Sequence, residues 1–169
     1  SLNHGLTHSE TVMPAVEEAL SASGLRCADM DVFAAVAGPG SFTGVRLGVC
    51  AAKGMAHAVS RPCVPIHALE ALAMNFFGFD GLVCPILDAR RRQVYCALFD
   101  TRDGFPVCVA EDDAIGLDEL LERLPKDRRI LFCGDGLSAH AQTIVEAMGE
   151  RAMLAPANLR DLRADAVCA

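Results

Sequence analysis

Gly38-Pro39-Gly40-Ser41-Phe42-Thr43-Gly44-Val45-Arg46 is the stretch on which the fold turns. Just before it, Val32-Phe33-Ala34-Ala35-Val36-Ala37 is a continuous apolar run between Asp31 and Gly38. Such a run is the pattern of a short strand covered on both faces. Just after it, a helix is predicted from about Val45 to Ser60. Backbone N–H groups at a helix N-terminus flanked by glycines can hold an anion. Gly38, Gly40, Ser41, Thr43 and Gly44 are therefore a candidate anion or nucleotide loop, and they serve equally well as a tight strand-to-helix turn. No Gly-Lys pair closes the loop, and its third glycine comes one residue late. Those departures exclude a Walker A loop and the dinucleotide fingerprint.

Working outward, residues 7–23 read as a helix with Val12, Val16 and Ala19 at helical spacing; Pro14 leaves two starts open, Thr7 in a capping box with Glu10 and a kink at Pro14, or Thr11 as the N-cap with Pro14 in the first turn. Val64–Ile66 reads as a strand and Ala68–Phe77 as a helix. The order helix, strand, loop, helix, strand, helix implies an α/β unit with parallel pairing. Phe76–Gly81 looks like the seam between two halves. Beyond it, Leu82–Leu87 and Gln93–Phe99 are strands joined by a hairpin at Asp88-Ala89-Arg90-Arg91-Arg92. Val107–Ala110 is a further strand, Leu117–Leu124 a helix, Arg129–Cys133 a strand and Ser138–Met148 a helix. A last helix is predicted from Leu159 to Ala169.

The chain has 169 residues, 15 Lys plus Arg and 22 Asp plus Glu, for a net charge of −7. That balance argues against a free-standing nucleic-acid binder, because phosphate affinity comes mostly from Lys and Arg. With no Trp and one Tyr there is little material for base stacking. The 52 % hydrophobic content excludes disorder. No run approaches the ~18 apolar residues of a membrane span, and no signal peptide is evident. The eight cysteines form no C-x-x-C pair. They are expected to be small buried hydrophobes in a reducing cytoplasm.

Extended to Leu47 and Gly48, the loop segment closely resembles the signature of the bacterial TsaB (YeaZ) family, which takes part in making threonylcarbamoyladenosine in tRNA. The resemblance extends to His8-Ser9-Glu10, to Ile66-His67-Ala68-Leu69-Glu70-Ala71-Leu72, and to Asp88-Ala89-Arg90 followed by Val94-Tyr95. It implies an actin-like architecture of two RNase H-like lobes, placed here at residues 1–78 and 79–169. Family members begin with a β-meander that carries an Asp-Thr phosphate loop and usually continue further at the C-terminus. The first lobe is therefore expected to lack its meander in this chain, whose numbering starts at Ser1, and the second to be truncated at its end.

The resemblance also bears on chemistry. The catalytic relative TsaD carries a motif resembling His-His-Met-Glu-Gly-His where this chain has His67-Ala68-Leu69-Glu70-Ala71-Leu72. Aligned on the glutamate, its two metal-binding histidines fall at Ala68 and Leu72, which cannot ligate metal. His67 alone makes a poor site, and His4 with His8 is a weak pair in a loop. No metal site and no catalytic residues are therefore assigned. Ser41 lacks the frame of a G-x-S-x-G nucleophile. Asp88 and Asp100 flank the hairpin as conceivable paired carboxylates, with strand-end solvation the simpler reading. Arg90–Arg92 could touch a phosphate, with a solvated turn the default.

Along the second helix, Arg46, Lys53 and His57 share one stripe and the remainder is apolar or small, including Gly48, Ala51, Ala52 and Gly54. Such a helix is expected to be buried on nearly all sides. Family members pair through their first two helices, with themselves or with TsaD. Val12, Val16, Leu47, Ala51, Ala52 and Met55 are the resulting interface candidates. The implied role is a non-catalytic scaffold for a TsaD-like catalytic subunit and a TsaE-like ATPase. It would act in the cytoplasm as a homodimer or within the complex, reaching tRNA only through the complex. No tightly bound cofactor is expected, and ATP or ADP would bind weakly at the complex interface. The alternative is an autonomous actin-like enzyme, either a nucleotide-dependent transferase or a glycopeptidase-like hydrolase.

Overall fold

A computed structural model describes residues 8–169, with side chains described from Thr11 onward. The elements in chain order are α1 (His8–Ser23), β1 (Phe33–Gly38), α2 (Phe42–Ala58), β2 (Cys63–His67), α3 (Ala68–Met74), β3 (Leu82–Arg90), β4 (Gln93–Asp100), β5 (Val107–Gly116), α4 (Leu117–Arg123), β6 (Ile130–Cys133), α5 (Leu137–Met148), β7 (Ala152–Leu154) and α6 (Ala164–Val167). Thr7, half of the expected capping box, lies outside the described residues.

The chain divides into two compact units, residues 1–66 and 67–169. The expected seam after Gly78 gives way to an earlier one, because α3 packs against β3 and β4 and so travels with the second unit. In the first unit β1 and β2 form a two-stranded sheet, and α2 bridges them and packs on β1. Alternate β1 residues Phe33 and Ala35 meet Ala52 and Ala56 of α2 in a small core. The other β1 face is not closed: Ala34 and Val36 are only half-buried, and Ala37, next along the core face, is exposed. The apolar run therefore is covered on one face among the described residues, not on both.

The second unit holds a five-stranded sheet in the order β5-β4-β3-β6-β7. β4 runs antiparallel to β3 and β5, whereas β6 and β7 continue parallel to β3. Numbered from its own first strand this is the order 3-2-1-4-5 of an RNase H-like fold. Leu82–Leu87 are all buried, as their unbroken apolar run requires of a central strand. β5 outruns the predicted Val107–Ala110: Asp113 and Ala114 are poor strand formers, but the β4 ladder recruits them opposite Cys96 and Tyr95. β7 was not predicted. Three residues carry no period of their own, and Ala152–Leu154 is ordered by its pairing to Ile130–Phe132.

The tail departs most from expectation. In place of a helix from Leu159, there is a 3₁₀ turn at Ala157–Leu159 and only the short α6. Tertiary partners take the carbonyls that a helix would need: Asn75 Nδ2 donates to Leu159 and Asp161 at 3.2 Å each, and the Gly134 amide donates to Arg160 at 2.8 Å.

The cysteines are not all buried, contrary to the expectation from their apolar neighbours. Cys84, Cys96 and Cys133 are buried, but Cys50, Cys108 and Cys168 are exposed. Burial raises the thiol pKa of Cys84 and Cys133 and takes Cys96 to about 11. Thiolate, not thiol, is the reactive species. A thiol-reactive dye at pH 8 is therefore expected to modify the exposed Cys50 and Cys168 in the native protein, and Cys108 more slowly, because desolvation and the neighbouring Glu111 and Asp112 raise its thiol pKa. Cys84, Cys96 and Cys133 should react only on denaturation, which peptide mapping checks.

Candidate functional site

The Gly-rich loop leaves β1 with φ of +118° at Gly38 and +156° at Gly40, backbone that a side chain rarely adopts. α2 starts at Phe42, three residues earlier than predicted, because Ser41 serves as its N-cap. The Gly44 amide donates to Ser41 Oγ at 3.5 Å, and the Val45 amide to the Ser41 carbonyl at 2.9 Å. Ser41 is thus committed to the helix start. Thr43 is exposed on the first turn. Beside it the Arg46 guanidinium sits 5.0 Å from the ring centre of Phe42, a cation–π contact on a phenyl ring that is 74 % exposed.

The six interface candidates separate into two groups. Ala52 is 5 % exposed and belongs to the core with Phe33, Ala35 and Ala56, which removes it from any outward contact. Met55 is partly buried against the same core. Val12, Val16, Leu47 and Ala51 are half-buried on α1 and α2, which touch each other. Contrary to the expectation of all-round burial, only Ala52 and Ala56 of α2 are buried. The two-stranded sheet can cover one stripe of a helix and no more. Arg46, Lys53 and His57 are all exposed, as their shared stripe predicted.

In the second unit, Ala68 and Leu72, the positions that the resemblance implies for metal ligands in the catalytic relative, lie in the first and second turns of α3. Ala68 and Leu72 are both 0 % exposed, sealed in the core with Leu69 and Ala73. Neither carries a donor atom. His67 precedes the helix, with its Nε2 3.6 Å from Asp112 Oδ2 on β5. His4 lies outside the described residues, and so does the side chain of His8.

Asp88 and Asp100 are not a pair. Asp88 lies opposite Val94 near one end of β4, and Asp100 ends the strand opposite Val107. Asp100 instead accepts from Arg102 Nη2 at 2.6 Å, and these hydrogen bonds hold its carboxyl at a pKa of about 2. Asp88 has a partner that spacing could not reveal. Its amide donates to Asp135 Oδ1 at 2.9 Å, across 47 residues, and its own Oδ1 accepts from the Arg90 amide at 2.8 Å. The only hint in the sequence was Gly134-Asp135-Gly136 at the end of a predicted strand.

An RNase H-like sheet in one unit and a strand–Gly-loop–helix unit before it define an α/β protein of the actin-like class. The family model described as TsaD, tRNA N6-adenosine threonylcarbamoyltransferase, matches residues 5–162. The tRNA threonylcarbamoyladenosine biosynthesis protein TsaB of Bacillus subtilis (strain 168) is 40 % identical over 151 residues, covering 89 % of this chain and 66 % of that protein. TsaB of Haemophilus influenzae is 40 % identical over 91 residues, covering 53 % of this chain and 39 % of its own length. Among solved structures, YeaZ from Pseudomonas aeruginosa superposes with a TM-score of 0.72 at 25 % identity, over 92 % of this chain and 71 % of that one. The chain belongs to this family, on its TsaB (YeaZ) side. It spans less than two thirds of the length of these curated relatives. None of the described helices is long and apolar enough to cross a membrane.

Proposed function

We propose that the protein is a non-catalytic scaffold subunit in tRNA N6-threonylcarbamoyladenosine synthesis. It holds a TsaD-like catalytic subunit and a TsaE-like ATPase, self-associates through the same α1–α2 face, and works in the cytoplasm. The observation that carries this reading is α3: where the catalytic relative has metal-binding histidines, this chain has Ala68 and Leu72, both 0 % exposed in an apolar core. A buried aliphatic pair offers no lone pairs to a metal and no room to admit one. The half-buried Val12, Val16, Leu47 and Ala51 supply an apolar helical surface for a partner helix. ATP or ADP is held weakly and only where the subunits meet. Within Gly38–Gly44, Ser41 already satisfies a helix amide, and the loop lacks a lysine to pair with phosphate.

The net charge of −7 leaves all but weak, low-salt tRNA binding to the assembled complex. The test is a tRNA threonylcarbamoylation assay with the full-length protein, a TsaD-like subunit, the ATPase subunit and the threonylcarbamoyl-adenylate donor. Product is expected only when this protein and the TsaD-like subunit are both present. Product without TsaD would restore the autonomous-enzyme reading, and undiminished product without this protein would remove the scaffold role.

A further inference from the structure

The β3–β4 hairpin closes on Arg91 and Arg92, between the paired positions Arg90 and Gln93. All three arginines have left-handed backbone, with φ of +67° at Arg90, +49° at Arg91 and +62° at Arg92. Two-residue hairpin turns with both central φ positive match the strand twist and are normally Asn-Gly or Gly-Gly, because this conformation crowds a β-carbon. Arginine therefore sits where backbone geometry suits it least. Two carboxylates hold the turn: Asp135 receives the Asp88 amide at 2.9 Å and Asp88 receives the Arg90 amide at 2.8 Å. The Arg90 guanidinium also lies 3.7 Å from Asp88. Arg91 and Arg92 are exposed and make no hydrogen bond or ion pair with any described residue. Strain of this kind persists only where the surroundings enforce it, and it concentrates where side chains have work to perform.

We propose that this tip is an RNA contact, in which Arg91 and Arg92 bind phosphodiester groups of the RNA. The proposal rests on the tRNA-modification role given above. A guanidinium fork matches two phosphate oxygens at once. A turn already locked by Asp88 and Asp135 loses little freedom when it docks. Arg90 has the Asp88 carboxylate 3.7 Å away as a competing anion, which leaves Arg91 and Arg92 as the two charges without a partner among the described residues. The exposed tip encloses nothing, which suits a continuous polyanion and gives a nucleotide base no pocket. Within a chain of net charge −7 the tip works as a positioning arm, not as a source of strong affinity by itself.

The test measures tRNA affinity against salt, for the full-length protein assembled with its TsaD-like partner and for the protein alone at about 20 mM salt. Each phosphate neutralised contributes about 0.7–0.9 to the slope of log K on log salt. Arg91→Gln with Arg92→Gln is expected to lower that slope by about 1.4–1.8, and to remove the weak binding of the lone protein. Arg91→Lys with Arg92→Lys should retain most of the slope. A third variant separates fold from function. Arg91→Asn with Arg92→Gly fits the turn better, so it should raise Tm by about 2–4 °C while losing RNA affinity as the Gln pair does.

An unchanged slope with the Gln pair overturns the proposal and leaves the scaffold role intact. If the Gln pair splits the protein assembly instead, the tip is a protein contact and the proposal fails. Displacement of bound tRNA by ATP at matched phosphate concentration would assign the tip to a nucleotide, with the same consequence. If no assembly forms at all, the scaffold role has failed and the low-salt arm decides. Wild-type binding that the Gln pair loses upholds the tip, and equal binding by both, or by neither, overturns it.

Discussion

Ala52→Arg is expected to unfold the first unit, whereas Ala51→Arg, one residue earlier, is expected to leave it folded and abolish assembly. Ala52 is 5 % exposed and packs with Phe33, Ala35 and Ala56. An arginine there must bury an unpaired charge and displace core atoms, at a cost of about 3–5 kcal/mol. That is a large share of the ~5–15 kcal/mol by which domains are stable, and the small core around β1 has little to spare. Ala51 is half-buried, so a long side chain can carry its guanidinium to water while its stem lies on the surface. The charge then stands where a partner helix must desolvate it. Thermal melts followed by circular dichroism, together with co-purification on a TsaD-like subunit, distinguish the two. Normal assembly by a folded Ala51→Arg protein would take this face of α2 out of the interface.

Gly134→Ala is expected to destabilise the second unit by about 3–5 kcal/mol and lower Tm by about 10 °C or more. Gly134 has φ of +98°, and a β-carbon added to it would lie 2.2 Å from the Ile86 carbonyl oxygen. Both atoms are held by buried backbone beside a central strand, so neither can yield cheaply. Gly149→Ala is the internal control. Gly149 also has a positive φ, at +57° with ψ of −133°, but nothing lies within 4 Å of where an added methyl group would sit, so backbone strain applies there without a steric clash. The comparison by thermal melting isolates the steric part. It also bears on the hairpin, because Gly134 and Gly136 place the Asp135 carboxylate that receives the Asp88 amide. Equal melting temperatures for the two variants would show that β3 can move away from the loop.

The amino-acid sequence by itself determined the α/β class, the strand–loop–helix of Gly38–Gly44, the buried strand at Leu82–Leu87, and the absence of donor atoms at Ala68 and Leu72. Each of these is local. Apolar runs, glycines and missing lone pairs are properties of a residue and its neighbours in the chain. The exposed stripe of Arg46, Lys53 and His57 was legible for the same reason, since helical periodicity alone sets it. Tertiary structure decided the rest. Ala52 and Ala51 are the same residue type on the same helix, and only the position of β1 makes one core and the other surface. β7 exists because β6 offers it a ladder, and the tail is not helical because Asn75 and Gly134 take its carbonyls. The bond from the Asp88 amide to Asp135 joins residues 47 apart in sequence, which no spacing rule reaches. That bond is what turns a run of three arginines from an ordinary charged turn into a strained, anchored one.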